Sequence, residues 1–158
     1  VVIDSLDLGD STIAWPYGRN SEDSSVNQPI ELSLILGPPS EIRNGNTMGV
    51  EFLSIPRGNY VTVGFVDEIV VNGEGPDLEI VSIDDHASET ANLYIGTSVD
   101  SLFLAGVIGE GGTEAIDFET IGYDGTVSVV RIEALDNRGA APGFDLMAVQ
   151  AVNFELVQ

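Results

Sequence analysis

The stretch VSVVRIEAL, residues 127 to 135, decides the fold: Val130, Ile132 and Ala134 point one way, Arg131 and Glu133 the other. Alternation with a period of two over this length predicts a strand buried on one face. The same period recurs along the chain. IELSLIL (30–36) sets Leu32, Leu34 and Leu36 against Glu31 and Ser33, YVTVGF (60–65) groups Val61, Val63 and Phe65, and VNFEL (152–156) groups Val152, Phe154 and Leu156. Turn residues fill the gaps, in GPPS (37–40), RNGN (43–46), PRGN (56–59) and DNRGAAPG (136–143). Asp124-Gly125, between IDFETI and TVSVV, predicts a two-residue hairpin turn. SETANLYI (88–95) reads either as a turn of helix or as a strand start, and the polar segment 16–29 reads as a long surface loop. Many short strands with Gly/Pro turns and few helical windows predict an all-β fold, a β-sandwich or jelly roll. No repeat of propeller or solenoid length is visible.

With 158 residues and 43% hydrophobic content, the chain is sized for one domain with its own core. The reading is a single β-sandwich domain over 1–158, a mature chain or a piece of a larger secreted protein. Its 26 acidic residues face 5 basic ones, all Arg, for a formal charge of -21. Nucleic acid is excluded as a partner, because phosphate neutralisation needs clustered Lys or Arg. Anionic membrane surfaces are disfavoured for the same reason, and no apolar run approaches the roughly 20 residues of a spanning helix. The absence of Cys removes disulfides, zinc–thiolate sites and thiol catalysis. Self-repulsion at this charge is relieved by salt or by bound divalent cations, and calcium is the cation expected outside the cell.

The segment DEIVVNGEGPDLEIVSIDD (67–85) places two apolar runs around a hinge. Asp67, Asn72, Glu74 and Asp77 are hard oxygen donors, and Gly73 and Gly75 let the backbone fold so that carbonyls join them, as calcium requires. The same residues also suit a simple turn, and both readings stand. Asp136, Asn137 and Asp145 form a second oxygen-rich group, and Asp84, Asp85 and Glu89 surround the only His, His86. For carbohydrate, Trp15-Pro16-Tyr17-Gly18-Arg19 combines amphipathic aromatics with a guanidinium, so Trp15, Tyr17 and Arg19 are candidate ligand contacts; Trp15 also suits a core anchor. Tyr60, Tyr94 and Tyr123 are further aromatic platforms. Catalytic constellations are missing: there is no Gly-x-Ser-x-Gly elbow, and a P-loop is impossible without Lys. The chain is therefore expected not to be an enzyme.

Five motifs in order, LILGPPS, GNYVTVGF, DEIVVNGEGPDLEIVS, VSVVRIEALD and GFDLMAV, carry a likeness over residues about 34 to 154. In this wording the chain resembles a family of bacterial secreted and cell-surface domains with a galactose-binding-like, discoidin-like jelly roll. The resemblance implies a calcium-bound β-sandwich that serves adhesion or binds carbohydrate. It also implies that the hinge lies near the closing motif, making Asp77 and Asp145 the best-placed calcium ligands, with Asn72 and Asp136 behind them. Met147 and Ser82 stand where the family carries further acids. The expected function is a calcium-stabilised extracellular module for glycan, polysaccharide or matrix. The alternative is a structural or adhesin block that contacts other surface or matrix proteins without sugar binding, and behind it a carboxylate-based enzyme acting on glycans.

Overall fold

The computed structural model describes residues 2–7, 35, 52–55, 57–83, 89–109, 111–137 and 143–157. In chain order the strands are β1 (Val2–Asp7), β2 (Leu53–Ile55), β3 (Tyr60–Gly64), β4 (Glu68–Val70), β5 (Leu78–Ser82), β6 (Thr90–Ser98), β7 (Ser101–Gly109) and β8 (Thr113–Ile116). A single-turn helix α1 (Phe118–Ile121) follows, then β9 (Val129–Ala134), β10 (Phe144–Ala151) and β11 (Phe154–Leu156). The strands form a five-stranded sheet, β1-β3-β9-β6-β7, and a four-stranded sheet, β2-β10-β5-β8, with β11 and β4 as a separate pair. All pairings are antiparallel, and the chain passes repeatedly from one large sheet to the other, which makes an all-β sandwich. No helix among the described residues is long and apolar enough to cross a membrane.

Alternation explains how the two sheets face each other. Strand β9 lies between β3 and β6, and its row Val130, Ile132 and Ala134 is buried, as is the facing row Val61, Val63 and Phe65 that leads out of β3. From the other sheet come Leu53, Ile55, Leu78, Ile80, Phe144 and Leu146, which join the same core cluster. Ile35, from the segment 30–36, also enters it; the remainder of that segment lies outside the described residues. A smaller cluster of Phe52, Val81, Ile83, Met147 and Ala148 forms on the opposite face of the four-stranded sheet.

Met147 is the extra residue of a bulge in the β10–β5 ladder, between Leu146 and Ala148, and it fills this second cluster. Ser82 is buried, donates from Oγ to the Gly112 carbonyl and accepts the Gly111 N–H there.

Two local expectations are corrected, and one that the sequence left open is decided. IDFETI is not a hairpin strand: Asp117 caps the single-turn helix by accepting the Thr120 N–H at 3.1 Å, and Gly122 closes it in the left-handed region at φ 70°. The Asp124-Gly125 turn therefore follows a helix. In SETANLYI residues 90–95 resolve as strand, since Thr90 opens β6. VNFEL does contain a strand, but Val152, Phe154 and Leu156 are exposed; among the described residues β11 pairs only with the short β4, and neither large sheet includes it.

Ile132→Ala in the central strand is expected to cost about 2–5 kcal/mol in denaturant unfolding. Leu156→Ser, at a side chain 72% exposed, is expected to stay within about 0.5 kcal/mol of the parent.

Candidate functional site

The hinge closes around one side chain. Asp77 is fully buried, and its Oδ1 accepts the Gly73 N–H at 2.7 Å and the Asn153 Nδ2–H at 2.8 Å, while Oδ2 accepts the Phe118 N–H at 2.8 Å. Its backbone is committed as well: the Asp77 N–H donates to the Ile116 carbonyl, and the Asp77 carbonyl accepts from Val152 and Asn153. Asn153 also donates to the Pro76 carbonyl at 3.1 Å, and a Cβ on Gly73 would sit 2.5 Å from Asn153 Cγ. Glycine at 73 is therefore required by close approach of the Asn153 amide.

Three N–H groups point at this carboxylate, and these donors meet the acceptor demand that the turn reading of the hinge requires. The structure does not bring Asp77 to Asp145. In the β5–β10 ladder Leu78 pairs with Ala151 and Ser82 with Leu146, so the two acids stand at opposite ends, roughly 20 Å apart at the rise of a strand. The implied nearness of hinge and closing motif is corrected accordingly. Asp145 is buried and accepts the Ser54 hydroxyl hydrogen; Asp136 accepts from Thr90 Oγ1 at 2.8 Å; Asn72 is an exposed hinge residue. Asn137 accepts the Arg57 N–H, and the buried Glu89 accepts the Gly143 N–H. At the exposed start of the hinge segment, Asp67 is held below its usual range, chiefly by a hydrogen bond with the Glu68 carboxyl, which is held above its own by the same bond. Among the described residues no group of three or more His, Asp and Glu is arranged to hold a metal ion. Trp15, Tyr17, Arg19, Asp84, Asp85 and His86 lie outside the described residues.

A different site appears on the outer face of the five-stranded sheet. The alternation that buries Val130 and Ile132 turns Arg131 and Glu133 outward, and the register flanks Arg131 with Thr62 and Tyr94, and Glu133 with Tyr60 and Asn92. Arg131 lies over the Tyr60 ring, 4.2 Å from its centroid, and its Nε donates to the buried Thr62 hydroxyl at 3.0 Å. Asn92 Nδ2 donates to Glu133 Oε1 at 3.3 Å. With Asp100 and Leu102 from the β6–β7 hairpin, Tyr60, Tyr94, Arg131 and Glu133 line a groove of about 390 Å³. That volume suits a small ligand or one or two sugar rings of a chain. The guanidinium is held by a ring face and a hydroxyl, so little rotamer freedom is lost when it meets a ligand.

Tyr60 and Tyr94 are aromatic platforms in the sequence, and the structure sets Arg131 and Glu133 beside them. The signal for Arg131 and Glu133 was present in the alternation of 127–135, since the residues that do not face the core must face out.

No family model matches the chain, and no curated protein matches it. Among solved structures, a truncated AlyQ with CBM32 and alginate lyase domains is similar at 14% identity and a TM-score of 0.47, over 73% of this chain and 28% of that one. The chain thus spans little more than a quarter of that protein, and a likeness of this degree carries no argument about what the chain binds.

Asp77→Ala leaves buried N–H donors without an acceptor and is expected to lower stability by about 3 kcal/mol. Thermal melts should show the same loss in excess calcium and in chelator; a loss confined to calcium would make the carboxylate an ion ligand.

Proposed function

We propose that this chain is a carbohydrate-binding module whose ligand lies in the groove of Tyr60, Tyr94, Arg131 and Glu133. The observation that carries the reading is the pre-set polar pair between two aromatic rings on one sheet face. A pyranose ring presents apolar C–H groups on one face and hydroxyls at its rim. Tyr94 supplies a rigid apolar surface for the former. Arg131 donates to ring hydroxyls, Glu133 accepts from them, and Asn92 and Thr62 keep both heads in place.

The groove is open at the surface of a sheet, which favours an extended polysaccharide over a sealed small molecule. The module acts by binding and not by turnover, and its place of action is outside the cell or at the cell surface, where such polymers are met. A bound polysaccharide should therefore keep its chain length on prolonged incubation.

Calcium stabilisation is a separate proposal and rests on charge alone. At a net charge of -21, divalent ions reduce self-repulsion wherever they gather. Chelator-stripped protein is expected to melt higher with calcium and with magnesium alike at matched ionic strength. A rise selective for calcium would demand a caged site instead.

Glycan-array screening followed by calorimetry tests the main reading. Tyr94→Ala and Arg131→Ala should each weaken binding of the best glycan at least about tenfold, a loss of roughly 1.4 kcal/mol, with the melting midpoint nearly constant for Tyr94→Ala and lowered for Arg131→Ala, which strips the buried Thr62 hydroxyl of its partner. A flat array, together with concentration-dependent sedimentation, would replace the glycan reading with that of a structural block. Glycan binding untouched by both substitutions would move the site elsewhere on the molecule.

A further inference from the structure

Strand β7 and strand β8 are the outermost members of the two large sheets on the same side of the sandwich, and among the described residues neither pairs on its outer edge. Natural sheets guard such edges with charge, because unpaired N–H and C=O groups invite another strand. Strand β7 has no such guard: SLFLAGVIG carries no charged residue in a chain with 26 acids, and Phe103, Leu104 and Val107 are exposed.

Below this edge the sandwich stands open. A cavity of about 360 Å³ lies between β7, β8 and α1, floored by Leu93, Ile116 and Ile121 and bordered by Ala105. Ala105 is the extra residue of a bulge, since Leu93 pairs with Gly106 and Tyr94 with Leu104, and its side chain packs against the core cluster. The far rim is acidic, with Glu114 and Asp117 lining the cavity.

We propose that this edge takes an extended segment of a partner protein by strand addition to β7, a segment in which apolar residues alternate with Lys or Arg. Backbone pairing with β7 supplies the attachment. Alternate side chains of the added strand then drop into the cavity, while the others face solvent near the acidic rim. Charge complementarity selects this occupant over a second copy of the chain, because two molecules at -21 repel each other and each would bring its own Glu114 and Asp117 to the contact.

Three fluorescein-labelled nine-residue peptides test the proposal on the whole chain at low ionic strength: alternating Lys/Val, alternating Lys/Ser and alternating Glu/Val. Lys/Val is expected to bind at least about tenfold more tightly than either of the others by anisotropy, and to protect amides of residues 101–109 from hydrogen exchange. Ala105→Leu fills the cavity and should weaken Lys/Val binding at least about fivefold without lowering the melting midpoint. Should that variant fold poorly, Val107→Ser, at an exposed position, is expected to weaken binding in the same direction. Equal binding of Lys/Ser would reduce the effect to bulk charge and overturn the proposal. So would protection outside 101–109, absence of binding at millimolar peptide, or protection of β7 that rises with protein concentration alone, which would make a second copy the occupant.

Discussion

The buried Asp77 carboxylate is the constraint on which the rest of this sandwich depends. It draws one N–H from its own hinge, one from the start of α1 and one from the turn between β10 and β11. Those three segments are distant in sequence and close in space, and no apolar contact could orient their N–H groups. Buried charge is tolerated only when hydrogen bonds replace the water it has lost, and three donors meet that condition here. With the hinge closed, β5 starts in register against both β10 and β8, and the row Leu78 and Ile80 reaches the core.

From that ladder the functional surface follows at one remove. The four-stranded sheet presents its inner row to Val130, Ile132 and Leu93, and burial of those side chains settles which face of the five-stranded sheet is left outside. Arg131, Glu133, Tyr60 and Tyr94 are then displayed together by register alone, since each belongs to a strand whose neighbours in sequence are buried. Among the described residues the same sandwich leaves β7 and β8 unpaired on their outer edges, so one architecture carries a polar, aromatic sheet face and an uncharged edge strand.

The acids divide into two populations. Asp77, Asp145 and Glu89 are buried and accept hydrogen bonds from the chain itself, whereas the exposed acids set the field around the molecule. A cluster of oxygen-bearing residues in a hinge is ambiguous in sequence because calcium and backbone N–H groups ask for the same acceptors. At Asp77 the acceptors are engaged by Asn153 and Phe118, which lie 76 and 41 residues further along the chain.

The sequence by itself determined the all-β class, the inward rows of β3 and β9, the outward placement of Arg131 and Glu133, and the strong net negative charge. These follow from alternation and charge, both local properties of the chain. Only the tertiary structure decided that Asp77 and Asp145 stand at opposite ends of one ladder, that IDFETI closes into a capped turn of helix, and that the alternating row of VNFEL stays exposed. Each outcome depends on which strand pairs with which, and in what register. Alternation specifies that a face is apolar; it does not specify whether another sheet arrives to cover it.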